Sequence, residues 1–289
     1  MDKSYILLYH GVTKSKSIGI ENFSKKHIDE AAFEHQMKWI SENKNVVSMR
    51  NIKDEPNSVA VTFDDTFKNI HDVALPILKK YNIPATFFIT TSFIDSEKIF
   101  WVDQLEHMIN FSIKDEIELD DKLFRIMDKN SKVVALTEIK SNLKNANPFH
   151  RDLCLRKIKE QTGWNDNVII DNYKMLSSTD VKNLDDYPMY EVGGHTENHE
   201  ILSYLSSERL QYEVSTCISK LEKIIDRKVD LFSYPEGQDV HYNKDVIDCL
   251  KDNGITICPS AIDGYLDDAD EFNYKRIMVG FMGRGFPYV

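Results

Sequence analysis

Two short stretches of this 289-residue chain carry residue types able to hold a divalent cation and move a proton. The first is SVAVTFDD, Ser58–Asp65, in which two adjacent carboxylates, Asp64 and Asp65, follow an apolar run. In parallel α/β folds ligands bind beyond the carboxyl ends of the strands, so both acids stand where sites form. Taken alone, such a pair reads more simply as a solvated loop or a helix N-cap, since Asp is mostly exposed. The second is EVGGHTENHE, Glu191–Glu200, with His195 and His199 four residues apart after a Gly-Gly pair. On a helical turn, positions i and i+4 share a face and can reach one ion, although two solvated histidines give the same pattern. The combination is more specific than either half. Two imidazoles and one carboxylate make a three-ligand site with room for water, and a second carboxylate beside it supplies a general base.

TFDD together with HTENH resembles the first two motifs of the polysaccharide deacetylases, the NodB-homology family of carbohydrate esterases (family 4). The opening YILLYHGV, the FEHQMKWI helix, FWVDQLE and FSYPEG are also similar to members, with the pattern of the poly-N-acetylglucosamine deacetylase branch. The resemblance implies a distorted (β/α)7 barrel and hydrolysis of acetyl groups on sugars. It makes Asp65, His195 and His199 the metal ligands and Asp64 the base that activates the attacking water. Two family features are missing. Where many members have Arg-x-Pro-Tyr, this chain has Ser233-Tyr234-Pro235-Glu236, and the late strand YKRIMVG holds no histidine. Without the Arg, what orients Asp64 is open; Tyr234 and Glu236 stand in its stretch, and Glu236 still has a backbone N–H for an oxyanion. His10 matches the N-terminal Tyr-His that serves as general acid in the poly-N-acetylglucosamine branch. His71, His107 and His241 read as surface residues. Trp101 and Asp103 are candidates for a sugar-binding wall, or simply core, as large aromatics often are.

The elements that must position these residues are visible as short apolar runs: 5–9, 59–63, 85–90, 190–192, 231–234, 255–258 and 276–279. Runs apolar at nearly every position are those of strands buried on both faces. Helical periodicity falls between them, near 29–43, 67–81, 206–226 and 243–254, with Ser206 or Ser207 as an N-cap and Gly254 as a C-cap. Alternating strands and helices predict a parallel sheet covered by helices. From about 96 to 176 the chain is charged and shows helical segments but no strand, so a mostly helical insertion within one 1–289 domain is expected.

A net charge of −11 argues against a nucleic-acid surface, which needs clustered Lys and Arg. No run approaches the ~20 apolar residues of a membrane span, and Tyr5–Tyr9 is too short for a signal-peptide core; a complete chain of this kind is expected in the cytoplasm. Its substrate there would be an acetylated nucleotide-linked or lipid-linked sugar of surface-polysaccharide assembly. Alternatives are a glycan-binding pseudoenzyme, or a metallohydrolase acting on another C–N bond such as a formyl or cyclic amide. Zn²⁺ heads the candidate metals, followed by Co²⁺, Ni²⁺ and Fe²⁺. Cys154, Cys217, Cys249 and Cys258 form no C-x-x-C pair and read as small buried apolar residues.

Overall fold

A computed structural model describes residues 4–144, 146–165, 170–267 and 270–288. The chain begins with β1 (Tyr5–Tyr9), β2 (Gly11–Thr13), β3 (His27–Asp29), α1 (Glu30–Asn43), β4 (Asn45–Val46) and β5 (Ser58–Phe63). Next come α2 (Leu75–Lys80), β6 (Ala85–Ile89), α3 (Trp101–Asn110), β7 (Glu116–Leu119), β8 (Lys122–Arg125), α4 (Lys129–Lys144) and α5 (Pro148–Thr162). Then follow α6 (Ser178–Asp185), β9 (Tyr190–Gly194), α7 (Ser207–Ile225), α8 (Lys244–Asp252) and β10 (Ile277–Met278). Two compact units result: Met1–Lys14 with Lys25–Glu97 and Lys174–Val289, and Ser15–Ser24 with Lys98–Tyr173.

The first unit is built on a parallel sheet in the order β10-β1-β5-β6-β9, with β4 also on β5. β1, β5 and β6 are buried at every position, as expected for strands covered on both faces. Beyond β9 the path continues through single parallel bridges, Gly194 to Phe232 and Leu231 to Ile257. Backbone hydrogen bonds from Cys258 to Glu271, Ser260 to Tyr274 and Arg276 to Ile262 lead on to the segment that enters β10. The parallel path therefore continues past β9, but 231–234 and 255–258 are not the full strands that their apolar runs predict. Pro235 and Pro259 follow directly and have no N–H for a ladder. The Ser233 carbonyl, moreover, is taken by a histidine side chain.

Helix starts and faces follow the sequence closely. Asp29 caps α1 by accepting from the Ala31 and Ala32 N–H groups, and Phe33, Met37 and Ile40 are buried. Ser206 caps α7, which buries Leu210, Val214, Cys217, Ile218, Leu221 and Ile225. The helix expected over 67–81 instead opens with a wide π turn, Ile70–Ala74, before α2. Pro76 has no N–H to offer the preceding turn, and a widened turn accommodates the missing bond.

The second unit is helical apart from one hairpin, β7 with β8, in a region where no strand was expected. Its strand EIEL alternates exposed and buried residues around Ile117 and Leu119. The two-residue turn is Asp120-Asp121, both with positive φ (47° and 61°), as a primed turn requires. Asp-Asp is not the Asn-Gly or Asp-Gly signal by which such turns are read. Leu105, Ile109, Ile117, Ile139, Cys154 and Ile158 are among the residues that form this unit's core. Cys154, Cys217 and Cys258 are buried, Cys249 is partly exposed, and all four are unpaired thiols. Among the described residues no helix is long and apolar enough to cross a membrane.

Candidate active site

The loops after β5 and β9 of the first unit bring four of the sequence-predicted residues together. Asp64 and Asp65 leave β5 in different directions because Asp65 adopts a left-handed backbone, φ 74°. Asp tolerates that conformation better than most residues. Both are buried, with exposures of 3 % and 6 %.

His195 and His199 do not share a helical turn. They lie on the irregular loop after β9, and left-handed Thr196 (φ 66°) and His199 (φ 60°) curl it back on itself. The curl, rather than an i, i+4 helix face, brings both Nε2 atoms to Asp65 Oδ1, at 3.8 Å for His195 and 3.3 Å for His199. The glycines before them are needed for close approach. A Cβ on Gly193 would stand 2.7 Å from the Leu231 carbonyl, and one on Gly194 2.6 Å from the Phe232 ring.

Other residues of HTENH hold the loop. Asn198 donates to buried Glu213 of α7 through both its backbone N–H (2.7 Å) and its side chain (2.8 Å). Thr91 donates to Glu197 at 2.6 Å. Thr90 donates to the His195 carbonyl (3.0 Å), and Thr66 to the Thr90 carbonyl (2.9 Å), which ties the loops after β5, β6 and β9.

The donor set fits a divalent cation. Asp65, His195 and His199 each offer one ligand atom, and these lie within 4.8 Å of one another. Asp65 Oδ1 is buried without a hydrogen-bond partner, a costly state unless a cation completes it. His195 Nδ1 lies 2.9 Å from the Ser233 carbonyl, which can only accept, and 2.7 Å from Ser233 Oγ. Nδ1 therefore carries the proton, and Nε2 presents a lone pair toward Asp65. Burial pulls the His195 pKa down to about 4, so the ring is neutral, as a ligand must be. Burial also acts to raise the Asp65 carboxyl, but its close contact with His199, with His10 and Lys26 nearby, holds it well below the usual range.

A residue that the motifs did not reveal completes the site. Arg276, just before β10 and fully buried, clamps Asp64 with two hydrogen bonds of 2.7 Å, one to each carboxylate oxygen. Its Nε donates to the Ser260 carbonyl at 2.6 Å, and Nη1 also reaches Thr62 Oγ1 at 3.3 Å. Burial favours protonated Asp64, but Arg276 overcomes it and holds the pKa below the ordinary value. Arg276 stands in YKRIMVG, the stretch inspected for a histidine. An arginine in a terminal apolar strand was the available signal, since a buried guanidinium needs an acid.

His10 follows β1 and is mostly buried, and its Nδ1 has no hydrogen-bond partner. Burial lowers its pKa against the opposing pull of Asp65 and Asp64, which places it within electrostatic reach of both. Glu236 has a left-handed backbone (φ 61°); burial pushes the His199 pKa down, but Asp65 first and then the charge of Glu236 raise it above the ordinary value. Tyr234 is buried, donates to the Phe272 carbonyl at 3.1 Å and stacks on Tyr242 with ring centres 4.1 Å apart. Trp101 and Asp103 are on α3 of the second unit. There Trp101 packs on the core beneath the Arg151 guanidinium, 5.5 Å from its ring centre, and Asp103 is buried. His107, expected on the surface, is 1 % exposed, with Nδ1 donating to the Asp103 carbonyl at 2.8 Å.

A parallel α/β frame with Asp-Asp and His-x-x-x-His gathered past its strand ends defines a hydrolase of the deacetylase type. The chain belongs to the polysaccharide deacetylase family, whose sequence model matches residues 51–137 and 155–258; members are metal-dependent hydrolases of acetylated sugars. A poly-β-1,6-N-acetyl-D-glucosamine N-deacetylase of Staphylococcus aureus is 34 % identical over 99 residues, a match spanning 32 % of this chain and 33 % of that protein. Among solved structures, the Streptococcus pyogenes deacetylase PplD shares the fold at 18 % identity and a TM-score of 0.61, covering 97 % of this chain and 93 % of that one. IcaB from Ammonifex degensii does so at 15 % identity and a TM-score of 0.61, over 96 % and 92 %.

Proposed function

We propose that this protein removes N-acetyl groups from an N-acetylglucosamine-containing glycan, with Asp65, His195 and His199 holding a divalent cation, Zn²⁺ first among the candidates. The observation that carries the reading is the Asp64 carboxylate, buried and held by Arg276 on both oxygens beside three converging ligand atoms. A cation bound there would polarise the acetyl carbonyl and acidify water. Asp64, kept ionised by Arg276, takes a proton from the attacking water. Because the guanidinium occupies one face of both oxygens, the remaining lone pairs define the direction from which water is activated. His10 gives a proton to the leaving amine, and burial makes its protonated form the stronger acid. The backbone N–H of Glu236 is assigned to the developing oxyanion.

The absent Arg-x-Pro-Tyr arginine and the absent late histidine are what motivate a pseudoenzyme. Arg276 and His10 supply the corresponding chemical groups from other positions, which favours catalysis. The name of the staphylococcal relative makes a β-1,6-linked polymer the first substrate to test, with nucleotide-linked and lipid-linked N-acetyl sugars as the second. We further propose that residues 1–289 act as one deacetylase domain carrying 96–176 as an insertion. The test is acetate release from β-1,6-linked N-acetylglucosamine oligomers by metal-loaded protein, compared with Asp64→Asn. Release abolished in the variant supports the reading; full metal occupancy with no release from any N-acetylated glycan overturns it.

A further inference from the structure

A second cluster of metal-binding side chains lies within the second unit, and the proposed reaction makes no use of it. His150 and Cys154 stand four apart on α5, so their side chains share one face. Asp120 approaches them from the two-residue turn between β7 and β8, where its left-handed backbone aims the carboxylate at the helix. Cys154 Sγ is 3.4 Å from His150 Nε2 and 3.9 Å from Asp120 Oδ2, and His150 Nε2 is 3.4 Å from the same Oδ2.

Two kinds of chemistry could explain a Cys, a His and an Asp in contact. A nucleophile relay places the thiol on one ring nitrogen and the acid on the other, so that a proton passes through the imidazole. Here both partners face Nε2, which cannot serve as donor and acceptor at once. The three atoms form a triangle instead. Around a tetrahedral zinc ion, with Zn–S of about 2.3 Å and Zn–N and Zn–O of about 2.0 Å, the ligand–ligand edges are roughly 3.3–3.6 Å. The observed edges match two of these and exceed the third by a few tenths of an ångström.

We propose that Asp120, His150 and Cys154 form a second metal site of the zinc type, with water in the fourth position. Thiolate, imidazole and carboxylate suit zinc and its neighbours and disfavour the hard, all-oxygen preferences of Ca²⁺ and Mg²⁺. The surroundings agree. Cys154 is buried, while Asp120 and His150 are open to solvent, which gives the ion an entry path and its fourth ligand. Lys157, 4.0 Å away, faces the other Asp120 oxygen, Oδ1, and leaves Oδ2 to the triangle. On binding, the Cys154 thiol releases its proton to solvent, and the ion joins the hairpin turn to α5. Its role is that of a cross-link, because among the described residues no base or clamped carboxylate accompanies it.

Cobalt titration of the full-length, metal-stripped protein tests this, because a thiolate bound to Co²⁺ gives a near-ultraviolet charge-transfer band. The Asp65–His195–His199 set contains no sulfur and cannot produce it. The expected result is a band that saturates within two added equivalents, one for each site, disappears in Cys154→Ser and persists in Asp65→Asn. In His150→Gln, a change at an exposed position, apparent Co²⁺ affinity should fall by about tenfold or more. A wild-type protein with no thiolate band, or a band unchanged in Cys154→Ser, overturns the proposal. Because the band is read without turnover, it decides this site independently of whether the protein deacetylates sugars.

Discussion

Two clusters of side chains able to bind a metal stand among the described residues, and the difference between them lies in what surrounds them. At Asp65, His195 and His199 the neighbouring residues fix each group in place. Ser233 sets one imidazole tautomer, Glu213 grips the loop through Asn198, and Arg276 clamps a separate carboxylate, Asp64. At Asp120, His150 and Cys154 the triangle of donors stands beside a lysine, and no clamped base accompanies it. A triangle of ligands is enough to hold an ion. Catalysis needs a proton acceptor whose charge state and direction are fixed independently of the ion.

The comparison breaks first at Asp64. Asp64→Asn should lower kcat by about 10²–10⁴-fold with metal content unchanged, read by acetate release and elemental analysis. Loss of metal in step with activity would make Asp64 a ligand and erase the distinction. Next is Arg276→Met, which leaves a buried carboxylate without its partner and should cost about 3–5 kcal/mol of stability, read from urea unfolding. Adding Asp64→Asn to that variant should recover part of the loss, and a strictly additive double mutant would show that the pair is not coupled. His10→Ala should keep the metal while kcat falls by about 10²-fold, and wild-type turnover would remove its role as general acid. The smallest effect is expected for Ser233→Ala. Its carbonyl still accepts from His195, so metal affinity should drop by only about tenfold, measured by competition with a chelator.

The frame of the site was legible because its signals are local. VAVTF and ATFFIT are apolar at nearly every position, and Ser206 and Asp29 cap helices whose buried faces repeat with the helical period. The ligand types were equally plain. What misled was local geometry with no strong residue signature. The HTENH spacing suggests a helical turn, but Thr196 and His199 enter the left-handed region, and no side chain there announces it. The Asp120-Asp121 turn hides a hairpin for the same reason, and two proline-terminated runs shorten to single bridges.

Residue identity alone determined which groups could bind a cation or move a proton, since that chemistry belongs to Asp, His and Cys wherever they stand. It also determined the alternation of strand and helix, which hydrophobic period and capping encode within about 20 residues of chain. Pairing across long stretches was decided only by the tertiary structure. Arg276 meets Asp64 over 212 positions because β10 and β5 both flank β1, and Cys154 meets Asp120 only because a hairpin turn reaches α5. Such pairs leave no local pattern: each is the closing of a long loop, stabilised by burial and charge that exist only after the chain has folded.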